Sequence, residues 1–135
     1  MNCNSLMEAL QTISASLGYT PTTLSQLHQT LHQSGLPIAL VRAPKIVSIE
    51  GERERRVEYK VVVNLLIDSK PEERLCPEVM SRLAADGEQL LRTLSERSDV
   101  LSVGRMGMEI HSRPLTVAGD AAIMISASVV MLECK

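Results

Sequence analysis

Hydrophobic positions in the first third of the chain recur at helical spacing. Leu6, Leu10, Ile13 and Leu17 form one narrow stripe, Ser5 with Glu8 three residues on reads as a capping box, and Gly18 stands where a helix C-cap belongs. After Pro21, the residues Leu24, Leu27 and Leu31 mark a second helical face closed by Gly35, with Gln, His and Thr on the opposite side. Leu36-Pro37 then reads as a loop.

From Ile38 the period shortens to that of a strand. Ile38 to Val41 is short and apolar, Ala43-Pro44 interrupts it as proline does at sheet edges, and Ile46 to Glu50 resumes it. Gly51-Glu52 is the expected turn of a hairpin. Its returning arm alternates strictly, with Val57, Tyr59, Val61, Val63, Leu65 and Ile67 on one face. The other face starts as Glu58 and Lys60 and becomes apolar at Val62 and Leu66, so it should gain cover toward the strand's end. Cys76-Pro77 then predicts an N-cap with proline at the first helical position. Val79, Met80, Leu83, Leu90, Leu91 and Leu94 give that helix a long apolar face ending near Arg97, and Gly87 within it suits a close approach to the sheet. Leu101 and Val103 share one strand phase and Met106, Met108 and Ile110 the other, which places a β-bulge at Gly104. Ala122 to Cys134 is the final strand. The expected fold is a single α+β domain over 1–135. It has a largely antiparallel sheet of about five strands, a long helix on one face and one or two N-terminal helices.

The chain's 135 residues match one domain, and their composition excludes disorder, collagen and disulfide scaffolds. There is no Trp or Phe and only two Tyr, so the core must be aliphatic, and base-stacking platforms for single-stranded nucleic acid are excluded. A net charge of −2 provides no global field for DNA or anionic lipid. Three scattered cysteines and an N-terminus without a basic start or apolar run predict a reducing compartment. The apolar stretch Ala121 to Leu132 is far shorter than the about 20 residues that a spanning helix needs, and reads as a buried strand. No membrane association is expected.

Chemistry-bearing motifs are scarce. His28 and His32 would share a helix face, but two ligands do not make a metal site and no zinc-protease glutamate follows His28. Cys76 at a helix start could have a lowered thiol pKa, yet the only unclaimed histidine, His111, lies on a separate strand. Glycine elbows and Walker loops are absent. The expectation is a non-enzymatic protein with no cofactor, no metal and no sequence-specific nucleic-acid contact. What stands out is the hairpin from Glu50 to Arg56, with three glutamates and three arginines. Alternating signs keep a protruding edge soluble. They also provide a self-complementary surface, since arginine pairs bidentately with carboxylates and ten of the fourteen basic residues are Arg. Glu52, Arg53, Glu54, Arg55 and Arg56 are the candidate interface.

The order of elements resembles a known group. A helix ending Leu17-Gly18-Tyr19 precedes an apolar strand into Ala43-Pro44-Lys45, and a second strand runs into Ile49-Glu50-Gly51. A long return strand ends Leu65-Leu66-Ile67-Asp68, and a helix ending Leu90-Leu91-Arg92-Thr93-Leu94 precedes two closing strands. This layout is similar to the tail-terminator, tail-completion and minor tail proteins of long-tailed bacteriophages and prophages. The segment 22–34 is an addition to that pattern. The resemblance implies a subunit of a homo-oligomeric ring, commonly a hexamer, that caps the tail tube and meets the head connector. It also implies a cytoplasmic location during assembly and the virion tail afterwards, and carries over no catalytic residue. The alternatives are a stand-alone intracellular ligand-binding or regulatory domain, and a small enzyme using Cys76.

Overall fold

The computed structural model describes residues 3–117 and 119–134, with no account of the side chains of residues 3, 4 and 134. The chain start at Met1-Asn2 and the thiols of Cys3 and Cys134 therefore lie outside the described residues. Three helices and six strands form one α+β domain: α1 (Cys3–Ser16), β1 (Thr20–Thr22), α2 (Leu27–Ser34), β2 (Ile38–Val41), β3 (Lys45–Glu50), β4 (Glu54–Asp68), α3 (Pro77–Ser95), β5 (Val100–Ile110) and β6 (Asp120–Cys134). The sheet runs β1-β2-β4-β6-β5, with β3 also on β4. All its pairs are antiparallel except β1 with β2. Among the described residues, no helix is long and apolar enough to cross a membrane, and Ala121 to Leu132 is strand.

The fifteen-residue β4 is the axis of the sheet, because strict alternation puts six large apolar side chains on one face. Val57, Tyr59, Val61, Val63, Leu65 and Ile67 are all buried there, in one core with Leu6 and Leu10 of α1 and Leu83, Leu90 and Leu94 of α3. Both helices thus cover this face, α1 over β1 and β2, and α3 over β5 and β6. We call it the helical face. Gly87 is where α3 touches the sheet: a Cβ there would stand 2.8 Å from Ile125 Cδ1. The opposite, open face stays bare along most of β4. At its far end Leu40, Leu66 and Ala122 are buried beneath Leu27 of α2 and Leu36, so α2 provides the cover that the apolar turn at Leu66 demands.

Four expectations need correction. The sheet has a sixth strand, because Thr20-Pro21-Thr22 pairs with Ile38-Ala39-Leu40; Pro21 is tolerated since β1 lies at the sheet edge. α1 starts at Cys3, so Ser5 lies inside its first turn rather than at its cap, a difference within the ordinary play of helix ends. The second helix begins as a 3₁₀ turn at Leu24–Gln26, leaving Leu24 exposed. In β5 the bulge at Gly104 is present, with Arg105 at φ 48°, but a second shift between Val100 and Ser102 makes Val100 the core residue and turns Leu101 outward.

Tyr19, at the end of the α1 cap, is buried and its hydroxyl donates to Asp86 of α3, tying the two helices together. Burial first, then the hydrogen bond to Asp86 and its charge, push the phenol well above its usual value. The folded state therefore favours the neutral phenol. This contribution is complete below about pH 10, where a free tyrosine titrates, and declines as pH rises beyond it. Urea midpoints measured from pH 9 to 11.5 should fall, and Tyr19→Phe should reduce that slope; an undiminished slope would remove Tyr19 as its source.

Candidate assembly interface

The charged hairpin is built on Gly51, whose φ of +92° and closeness to the Glu54 carbonyl (2.4 Å from where a Cβ would sit) admit only glycine. Its five candidate residues do not behave as a unit. Arg55 turns inward, 3.5 Å from Glu133, a buried carboxylate that also accepts a 2.7 Å hydrogen bond from the Tyr59 hydroxyl. Arg55 is thus part of the subunit's own structure. Glu52, Arg53, Glu54 and Arg56 are exposed, and among the described residues no ion pair engages them.

Beside this tip lies a feature that alternation along β4 did not reveal. Every residue of β3 is exposed, and Ile46, Val47 and Ile49 are 53, 56 and 50% accessible. Register explains why. Ile46 and Ile49 stand opposite Tyr59 and Val57 on the helical face, while a shift between Ile46 and Ser48 leaves Val47 on the open face beside Glu58 and Lys60. At the other side of the sheet, β5 exposes Leu101, Met106 and Met108. Val103, Met106 and Met108 floor a groove of about 420 Å³ whose wall is Glu88, Leu91 and Arg92 of α3. β3 on one side of the sheet and β5 on the other are therefore both open and greasy. Six of the ten exposed large apolar residues among the described residues lie on these two strands. The signal was present in the sequence: an edge strand carrying Ile46, Val47 and Ile49 without alternation is apolar on both faces.

The residues weighed for chemistry remain apart. His28 and His32 are exposed on α2, and among the described residues no group of three or more His, Cys, Asp or Glu is arranged to hold a metal. Cys76 is a half-buried free thiol at the start of α3. His111 is engaged elsewhere, sharing a 2.8 Å hydrogen bond between its Nε2 and Asn64 Oδ1. Neither a family model nor a curated protein matches this chain.

Proposed function

We propose that this chain is a non-enzymatic structural subunit that assembles head to tail into a ring, as a tail terminator or minor tail component of a phage or prophage. The observation that carries the reading is the pair of open apolar edges at opposite sides of one sheet. Monomeric proteins blunt or cover such edges. Two different edges joined to each other make a heterologous contact, which closes into a ring if the rotation allows. The order of elements, similar to that of tail-terminator proteins, is what points to a tail tube and head connector as further partners. The charged hairpin contributes its exposed arginines to the same contacts. With almost no aromatic residues, association leans on arginine and aliphatic side chains in place of the usual Tyr and Trp anchors.

The test combines the mass in solution with a charge reversal. Arg53→Glu with Arg56→Glu should leave the melting temperature within a few degrees of wild type, because both side chains are exposed. The same variant should lower the average mass measured by light scattering, alone or on tail-tube ends. Raising salt should weaken the wild type in parallel. Arg55 is unsuited to this test, since its reversal would set two carboxylates against each other at Glu133. Normal assembly of the reversed protein would leave the hairpin as a solvated edge only.

A further inference from the structure

We propose that neighbouring copies pair β3 of one antiparallel with β5 of the next, in the register Lys45–Glu109, Ile46–Met108, Ser48–Gly107, Ile49–Met106 and Glu50–Arg105. The proposal rests on the assembly reading above and specifies its interface.

The two edges match residue by residue. On β3, Lys45, Ser48 and Glu50 stand opposite Lys60, Glu58 and Arg56 and so share the open face, while Ile46 and Ile49 share the helical face. On β5, Gly107 and Glu109 stand opposite Ser126 and Met124 on the open face, and Met108 opposite Ile125 on the helical face. The bulge residues divide in the same way. Arg105 lines a cavity with Glu58 and Lys60 on the open face, and Met106 lines the groove against α3. In the antiparallel register every open-face position meets an open-face position. The two charged pairs are both of opposite sign, and Ile46 and Ile49 enter the α3–β5 groove over Met108 and Met106. A parallel register would instead set Lys45 against Arg105 and Glu50 against Glu109.

Direction and overlap agree with this choice. Within one subunit β3, β4, β6 and β5 alternate in direction, so β3 and β5 are antiparallel to each other. A neighbour whose β3 is antiparallel to β5 therefore keeps both the strand direction and the sheet face of the first copy. The operation repeats without inversion, as a ring requires. The register also carries a stagger. Within a subunit Lys45 is level with Gly104, through Lys60 and Ser128, whereas the neighbour's Lys45 would face Glu109. One residue of that interval is taken up by the bulge, leaving an offset of roughly 13 Å at about 3.3 Å per residue. This offset removes a collision. β1 lies one strand farther out than β3, and Thr22 is level with Glu109 through Leu40, Asn64 and Met124. Without the offset, β1 of the neighbour would occupy the place of Glu109 and Ile110; with it, β1 passes beyond the end of β5.

The decisive experiment is a charge swap read by sedimentation over a concentration series, with thermal melts as the check on folding. Lys45→Glu and Glu109→Lys each place like charges together in this register, and each should weaken association by about tenfold or more. The double variant restores an opposite pair and should return to within about threefold of wild type. Ile49→Asp, at an exposed position, should abolish association while melting normally. Single variants that associate like wild type, or a double variant that stays weak, would overturn this register while wild-type oligomers still upheld the assembly reading. A wild type that stays monomeric at every concentration, and on tail-tube ends, would overturn both.

Discussion

Val63→Asp is expected to unfold the domain. Val63 is 1% exposed at the centre of β4, opposite Val41 of β2 on one side and Ile125 of β6 on the other. Replacing it removes about 1.5–3 kcal/mol of apolar burial. It also places a carboxylate in the apolar core, at a further cost of several kcal/mol. The sum approaches the whole stability of an ordinary domain, about 5–15 kcal/mol. Circular dichroism at 25 °C should report an unfolded or barely folded chain. Val62→Asp is the control: Val62 is half-buried on the open face, and its variant should melt cooperatively with a modestly lowered midpoint. If Val63→Asp melted within a few degrees of wild type, the assignment of the buried face would be wrong.

The alternation that makes this prediction possible was legible in the sequence, and so was most of the fold. Period two along β4 and the apolar stripe of α3 are long enough for one register to dominate, and Gly87 and Gly104 mark close approach and bulge by their position in those patterns. Shorter elements were harder to read. β1 has three residues, one of them proline, and forms only because β2 offers it an edge, which no local propensity records. Leu101 departs from the phase that its spacing predicts for a related reason. A second bulge at its start breaks the alternation, and the choice between Val100 and Leu101 is made by contact with Met131 across the sheet. The candidate interface was half legible. Charge at the hairpin tip is visible as composition, whereas the inward turn of Arg55 depends on Glu133, distant in sequence and adjacent only through the β4–β6 ladder. The apolar edge of β3 lay in plain view as Ile46, Val47 and Ile49. What the sequence does not record is exposure, which depends on what the rest of the fold lays over that edge, and all six residues of β3 are left exposed.

The second large effect is expected at Asp120, the first residue of β6. Asp120 is fully buried at the start of β6, yet both of its carboxylate oxygens are hydrogen-bonded. It accepts the backbone N–H groups of Leu115 and Thr116 at 3.0 and 2.7 Å and the Thr116 hydroxyl at 2.8 Å. Its backbone carbonyl accepts from Arg74 Nε at 2.8 Å, and a second nitrogen of Arg74, Nη1, donates to the Ser112 carbonyl at 3.1 Å. One residue thus fastens the β5–β6 connection to both the sheet and the segment before α3. Asp120→Ala would leave two part-buried backbone donors without their acceptor, and each charge-assisted hydrogen bond of this kind is worth about 1.5–3 kcal/mol. A loss of about 3–5 kcal/mol in urea denaturation is expected. Asp120→Asn keeps one oxygen to accept from the loop and should lose about half as much. Amide exchange should quicken at Leu115 and Thr116 before it does in β4, because the loop is released ahead of the core. A loss below 1 kcal/mol for Asp120→Ala would mean that water replaces the carboxylate. The released loop adjoins the end of β5, past which β1 of a neighbouring copy would run. Asp120→Asn, folded but loosened there, should therefore weaken association more than an equally destabilising change at the far end of the sheet.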